Sequence, residues 1–195
     1  MGLNLTKGER IDLTKGTNIK KIKVCLGWDI KSNPSGEDFD LDASAFLLAT
    51  NDKLVTESDV IFYNQQKHIS GAVNHSGDDR TGAGDITHSN DKEIIIVDLD
   101  KVPKDKEKIT FVVTIFEAIT RGQNFGQVKN SFIRIVNADN STEVMRYNLT
   151  EDYSTSTALI AGEVYRKGTE WKFAAVGNGL SGGLKELISK FGLSI

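Results

Sequence analysis

The feature that most constrains the fold is a series of short alternating segments, each long enough for one β-strand. Ile22, Val24 and Leu26, for example, stand at every second position, which places them on one face of an extended chain. Glycine, asparagine and aspartate separate these segments, and no helical patterns alternate with them, so the chain is predicted to form a β-sandwich. The predicted strands cover residues 21–26, 39–47, 60–63, 93–99, 109–116, 131–136, 143–149, 158–165 and 170–176.

The last two of these segments flank Arg166-Lys167-Gly168-Thr169, which is typical of a hairpin turn. One helical pattern follows, with an expected cap at Ser181 and an end at Gly192. Its apolar side chains take the i, i+3, i+4, i+7 spacing of an amphipathic helix: Leu184, Leu187, Ile188 and Phe191. The sequence contains no repeat or linker, so we predict a single domain over residues 1–195. Its fold class is all-β, a two-sheet β-sandwich with a short C-terminal helix.

Composition and targeting signals narrow the class of protein. Cys25 is the single cysteine, so an internal disulfide is excluded, and its place in an alternating run predicts a half-buried structural thiol. The N-terminus lacks the apolar stretch of a signal peptide, and no apolar run is long enough to cross a bilayer. We therefore expect a cytoplasmic protein with no direct membrane insertion. The basic residues are scattered, which predicts no nucleic-acid binding.

The net charge of −3 is unevenly distributed along the chain. Residues 27–44 hold five acidic side chains against Lys31, and residues 78–93 hold five against Arg80 and Lys92. A charge run is often a solvated face. The residues that accompany these acids favour a cation site instead.

In the first acidic segment, strand alternation predicts that Asp38, Asp40 and Asp42 point away from the core, while Phe39 and its apolar neighbours point into it. Carboxylates gathered on one face repel one another unless they are solvated or neutralised by a cation. Oxygen ligands at this density favour Ca²⁺, which accepts flexible geometry, over Mg²⁺, which requires a tighter octahedron.

In the second segment, residues 75–93, the acids alternate with glycines and small polar residues that can offer backbone carbonyls. A long polar turn is the alternative. The spacing fits neither an EF-hand nor a phosphate loop, and three unpaired histidines with one cysteine make a poor zinc set. Asp40 and Asp42 could act as acid and base in a carboxylate-based hydrolase, but no nucleophile accompanies them, so we expect no enzyme activity.

The chain resembles the TerD family, which comprises tellurium-resistance and general stress proteins, over essentially its whole length. The motifs that carry this resemblance lie at residues 3–8, 26–29, 39–48, 62–64, 75–82, 111–115, 123–128 and 170–177. The resemblance implies a β-sandwich that binds Ca²⁺, usually two ions, between loops at one end. It also implies a part in tellurite resistance and stress responses, within a membrane-associated or multi-protein stress complex.

The family's calcium motif corresponds to residues 77–93, with two departures. Asp79 replaces the usual asparagine, and the acidic end is less compact, because residues 86–89 intervene and Lys92 stands where an acid is expected. One calcium site is therefore predicted, and a second is left open. Some relatives are described as cyclic-AMP-binding, so a cyclic-nucleotide- or phosphate-ligand-binding protein is an alternative, with Arg80 or Arg121 meeting the phosphate.

The sequence thus predicts a calcium-binding module that acts in tellurite resistance and stress response through calcium-dependent contacts with protein partners. The expected metal ligands are five principal and three supporting residues. The principal ligands are Asp40, Asp42, Asp78, Asp79 and Asp85, and the supporting ligands are Asn64, Asp91 and Glu93.

Overall fold

Two antiparallel sheets and one short helix make up the fold in a computed structural model of the chain, which describes residues 2–30, 39–76 and 91–194. The strands are β1 (Leu3–Leu5), β2 (Arg10–Asp12), β3 (Lys21–Ile30), β4 (Leu41–Leu48), β5 (Val60–Ile61), β6 (Val73–His75), β7 (Glu93–Asp98), β8 (Lys108–Ile115), β9 (Val128–Asn137), β10 (Glu143–Asn148), β11 (Ala158–Lys167) and β12 (Glu170–Leu180), followed by helix α1 (Leu184–Lys190).

Each sheet has six strands. Sheet A has the order β1-β10-β9-β3-β7-β6, and sheet B has the order β2-β12-β11-β8-β4-β5. All neighbouring strands are antiparallel except β1 and β10. No helix in the described part of the chain is long and apolar enough to cross a membrane.

The core lies between the inner faces of the two sheets, where the predicted alternation is visible. Ile22, Val24 and Leu26 of β3 face the same cluster as Leu41 and Ala43 of β4. The two-sheet sandwich is therefore the observed fold, because apolar residues on one face of each sheet can leave water only against the other sheet.

Helix α1 covers the outer face of sheet B. Leu187 and Ile188 pack with Phe46 of β4, and Phe191 meets the Phe46 ring edge-on at 5.4 Å between centroids. Gly192, with φ of +90°, ends the helix as predicted. The predicted cap at Ser181 is wrong.

Gly183 caps the helix instead of Ser181, because the chain first turns at Gly182, whose φ of +113° favours glycine. The Glu186 carboxylate then accepts a hydrogen bond from the Gly183 N–H at 2.8 Å. The side chain three residues into the helix thus satisfies a backbone donor that the cap would otherwise leave open.

Every predicted strand has a counterpart, and the β11–β12 hairpin is confirmed, with Gly168 at φ of +64° in its turn. The segment predicted over 60–63 is a strand only at Val60–Ile61, because Phe62 and Gln65 then bond to each other across a turn. The three-residue strands β1, β2 and β6 were not predicted.

The described residues of the two acidic segments lie at one end of the sandwich. In sheet A, Leu26 of β3 pairs with Glu93 of β7, so the final residues of β3 lie beside the start of β7. We call the end at which β3 and β6 finish and β4 and β7 begin the acidic end. The other end, where β4 and β7 finish, is the opposite end.

Candidate functional site

His75 joins the two acidic segments at the acidic end. It is the last residue of β6 and is buried in the interior, with 3% of its surface exposed. Its Nε2 atom lies 3.2 Å from the backbone oxygen of Ala43 in β4 and 3.2 Å from a carboxylate oxygen of Glu93 in β7. One imidazole therefore spans the two sheets and brings the strand that carries Asp42 close to the strand that begins at Glu93.

Glu93, a predicted supporting ligand, points into the sandwich. It shares the inner face of β7 with Ile95 and Val97 and is 4% exposed. Burying a carboxylate is costly unless a polar group accompanies it, and Nε2 of His75 lies 3.2 Å from one of its oxygens. Both residues belong to sheet A, so the contact between the two sheets is that of His75 with Ala43.

Asp91, another predicted supporting ligand, lies on the outer face of sheet A and is held there by an arginine. Arg134 of β9 donates from Nε to one Asp91 oxygen at 2.9 Å and from Nη2 to the other, and its Nη1 atom donates to Glu143 at 3.2 Å. Burial by itself would lower the pKa of Arg134, but the bond to Asp91 outweighs it and the pKa is raised. A calcium ion would have to compete with this guanidinium for Asp91.

Cys25 lies on the same outer face and is more deeply buried than predicted, at 1% exposure. Burial, together with the nearby Asp91 carboxylate, raises the pKa of the Cys25 thiol to about 12. The thiol therefore stays protonated at neutral pH, as expected of a structural cysteine.

Asp40 and Asp42 stand at the start of β4 with the predicted alternation. Leu41 and Ala43 face the core, whereas Asp42 is only partly buried on the outer face of sheet B, where Thr114 of β8 is its neighbour in register. Asp40 is exposed, and its side chain has no hydrogen-bond or ionic partner among the described residues. Its backbone oxygen accepts a hydrogen bond from the Phe116 N–H at 2.8 Å.

The remaining predicted ligands fall into two groups. Asn64 is exposed in the turn between β5 and β6. Asp78, Asp79 and Asp85 lie outside the described residues. Within residues 2–30, 39–76 and 91–194, no group of three or more His, Cys, Asp or Glu side chains is arranged to hold a metal ion. The structure therefore places Asp40 directly before β4 and Asp42 within it, and it places Asp91 and Glu93 on opposite faces of sheet A.

The oxygens at this end suit a hard cation. Asp40 offers an exposed carboxylate directly before β4, and Asp42 is the second residue of that strand. Calcium takes six to eight such ligands, and it also accepts backbone carbonyls and waters. A complete site would need further oxygens beyond these two carboxylates.

Two functional residues were missed from the sequence. His75 was considered only as a zinc ligand, although its place two residues after Val73 in an apolar run could have indicated an inward-facing histidine. Arg134 lies between Ile133 and Ile135 in a predicted strand, so its side chain had to face outward. Neither signal names the partner, because the partner comes from a distant part of the chain.

The arginines of the phosphate-binding alternative are placed as follows. Arg121 stacks over the Phe116 ring at 5.1 Å and lies 3.4 Å from a carboxylate oxygen of Glu117. Arg80 lies outside the part of the chain that the structure describes.

Comparison with known proteins extends over the whole chain. A family model described as the TerD domain matches residues 1–191. A tellurium resistance protein TerD from Serratia marcescens is 51% identical over 195 residues, covering 100% of this chain and 99% of that protein. General stress protein 16U from Bacillus subtilis (strain 168) is 48% identical over 196 residues, covering 100% of both chains.

The fold also has counterparts among solved structures. The crystal structure of a homologue of telluride resistance protein (TerD) from Streptomyces coelicolor A3(2) superposes with a TM-score of 0.67, covering 91% of this chain and 100% of that chain. The sequence identity is 19%, so the likeness concerns the fold.

Proposed function

Because this chain belongs to the TerD family, we propose that it is a calcium-binding module that acts in tellurite resistance and the general stress response. Relatives that share about half of its residues over their full length are named for tellurium resistance and for general stress. The chemistry within that role is inferred from the acidic end.

The observation that supports calcium is the contact of His75 with both acidic strands. Nε2 of His75 lies 3.2 Å from the Ala43 oxygen, at the end of the first acidic segment, and 3.2 Å from Glu93, at the end of the second. One side chain therefore contacts both segments of high negative charge. Like charges held together raise the local negative potential, and a divalent cation relieves that repulsion.

The principal ligands in this proposal are Asp40 and Asp42 from the first segment, and Asp78, Asp79 and Asp85 from the second. Asp91 and Glu93 would support the site from the start of β7, and Asn64 from the neighbouring turn. Binding would order the acidic segments and create a surface for a protein partner in a stress-response complex. No candidate nucleophile accompanies these carboxylates, which supports binding over catalysis.

Thermal unfolding with calcium, with magnesium and with chelator tests the proposal. A ligand that binds only the folded state at 100 times its Kd stabilises it by about 2.7 kcal/mol. For a domain of this size, that energy corresponds to a rise in Tm of roughly 5–10 °C. We expect this rise with calcium and a much smaller one with magnesium. An unchanged Tm at millimolar calcium would contradict the proposal.

The matched variants separate the site from general charge effects. The double variant Asp40→Asn, Asp42→Asn should lose most of the calcium-induced rise, because it removes two principal ligands. Asp139→Asn is the control, since Asp139 is an exposed aspartate in the turn between β9 and β10 at the opposite end. A rise that falls equally in both would indicate nonspecific ion binding.

A further inference from the structure

A cleft of about 380 Å³ opens at the opposite end of the sandwich, away from Asp40 and Asp42. Three parts of the chain form it: residues 14–20 before β3, residues 99–104 after β7, and residues 166–171 at the β11–β12 hairpin. Clefts of roughly 300–1,000 Å³ accommodate small organic ligands. Its volume therefore exceeds what a bare inorganic ion needs.

Arg166 forms one wall of the cleft. Its guanidinium stacks over the Trp171 ring at 4.2 Å, and its Nη2 atom donates to the backbone oxygens of Val102 at 3.3 Å and Pro103 at 3.4 Å. Its Nε–H donor is buried without an acceptor, and no carboxylate among the described residues pairs with the side chain. Arg166 is thus held rigidly by neutral groups, and its positive charge is not balanced by an acid.

Lys104 adds a second cation without a carboxylate partner. It is exposed at the cleft, and no acidic side chain in the described part of the chain pairs with it. The two acids that line the cleft contact other residues of its lining, so Lys104 and Arg166 are its cations without a carboxylate partner. Asp100 lies 3.5 Å from Lys20, and Glu170 accepts a hydrogen bond from the Thr14 hydroxyl at 2.6 Å.

We propose that this cleft binds a small organic molecule through its phosphate group, with Arg166 and Lys104 as the cationic partners. Among the described residues no acceptor engages Nη1 of Arg166, so its donors remain for a phosphate oxygen, and stacking on Trp171 holds the guanidinium in place before the ligand arrives. Thr17, Asn18 and Thr169 line the remainder of the cleft with groups that hydrogen-bond hydroxyls. The site does not depend on calcium.

NMR titration of the isotope-labelled protein with glucose 6-phosphate, in calcium-free buffer at constant ionic strength, tests the proposal. We expect amide shifts concentrated in residues 14–20, 99–104 and 166–171. Inorganic phosphate should shift the same residues more weakly, and glucose should shift none. The proposal is overturned if glucose binds as well as its phosphate ester, or if the shifts spread over lysines elsewhere.

Two variants and one control test whether Lys104 and Arg166 contribute to binding of the phosphate ester. Lys104→Gln should weaken binding up to about fivefold, as removal of an exposed ionic contact does. Arg166→Lys should weaken it about tenfold, because lysine keeps the charge but loses the planar donors. The control is Lys185→Gln on the exposed side of α1. Because Lys104 is exposed, its variant tests the site even if Arg166→Lys unfolds. Equal affinities in Lys104→Gln and Lys185→Gln would overturn the proposal.

Discussion

The two ends of the sandwich differ in whether their carboxylates have ionic partners within the fold. At the opposite end, acids lie against lysines: Lys106 is 2.7 Å from Asp59, Lys101 is 3.0 Å from Asp98, and Lys108 is 2.9 Å from Asp52. At the acidic end, Arg134 pairs with Asp91, but Asp40 has no ionic partner among the described residues. These three carboxylates are therefore paired with lysines of the same fold, whereas the described part of the chain offers Asp40 no counter-charge.

Asp59 is a buried carboxylate that is engaged by several donors of the protein. It is 2% exposed and accepts hydrogen bonds from Lys106 at 2.7 Å and from the Thr56 and Val55 N–H groups at 2.9 and 3.2 Å. Burial by itself would raise the pKa of Asp59, but these donors outweigh it and hold the pKa below its ordinary value. The hydrogen bonds named here all fall on Oδ2, and Oδ1 lies 3.5 Å from Nε2 of buried His68, so both oxygens face groups of the protein. Asp40 is instead exposed, and its carboxylate has no hydrogen-bond or ionic partner among the described residues.

The largest loss of stability is therefore expected at the opposite end, where Asp59 lies. Asp59→Asn leaves buried Lys106 with only the exposed Asp105, 3.6 Å away, as a counter-charge. It should cost about 3–5 kcal/mol in the free energy of unfolding, measured by urea denaturation at pH 7. Because the folded pKa of Asp59 is lowered, its stabilisation is present above about pH 4 and is lost as the pH falls below that. The difference between wild type and variant should narrow in acid. A loss below 1 kcal/mol in the free energy of unfolding at pH 7 would contradict the inference that the buried Asp59–Lys106 pair stabilises the opposite end.

A smaller loss is expected from the pair at the acidic end. Arg134→Met removes the charged hydrogen bonds to Asp91 and should cost about 2–3 kcal/mol. If Asp91 is a calcium ligand, the variant frees it, and the calcium-induced rise in Tm should exceed that of the wild type. Arg146→Met is the control, because Arg146 stacks on Phe132 at 3.7 Å and bonds to Asn148 rather than to an acid. Equal calcium responses in both variants and the wild type would remove Asp91 from the ligand set.

The sequence predicted the sandwich well because burial on one face of a strand imposes a two-residue period that can be counted. The same period says nothing about residues outside a strand. The sequence predicted Asp91 and Glu93 as supporting ligands of one metal site, but β7 begins at Glu93, as predicted, and Asp91 lies before it. Asp91 therefore escapes the alternation and turns to Arg134 on the outer face.

Short elements and long-range contacts were also beyond the sequence. Strands β1, β2 and β6 have three residues each, too few to display a period. The contact of His75 with Ala43 joins residues 32 positions apart, so no local pattern records it. Of the candidate site, the sequence could therefore predict which strands carry acids and which way Asp42 faces. It could not predict which acids the fold already neutralises.

A further prediction tests whether water is excluded from the outer face of sheet A beside Asp91. Cys25→Ala should cost about 1 kcal/mol at pH 7, because it removes a buried sulfur. The folded pKa of Cys25 is raised from 9.0 to about 12, so the neutral thiol stabilises the fold below pH 9, and this contribution is lost as the pH rises further. The wild type should therefore lose more stability than Cys25→Ala between pH 7 and pH 10 in urea denaturation. Parallel losses would mean that water reaches the thiol.

The smallest effect is expected for an exposed pair at the opposite end. Asp52 lies 2.9 Å from Lys108, but its side chain is 62% exposed, whereas that of Asp59 is 2% exposed. A double-mutant cycle with Asp52→Asn and Lys108→Gln should give a coupling of about 0.2–1 kcal/mol, which falls as salt is added. Glu163 remains 3.4 Å from Lys108 in the Asp52 variant, so little charge is uncovered. A coupling as large as the loss in Asp59→Asn would mean that pairing alone, without burial, stabilises this end.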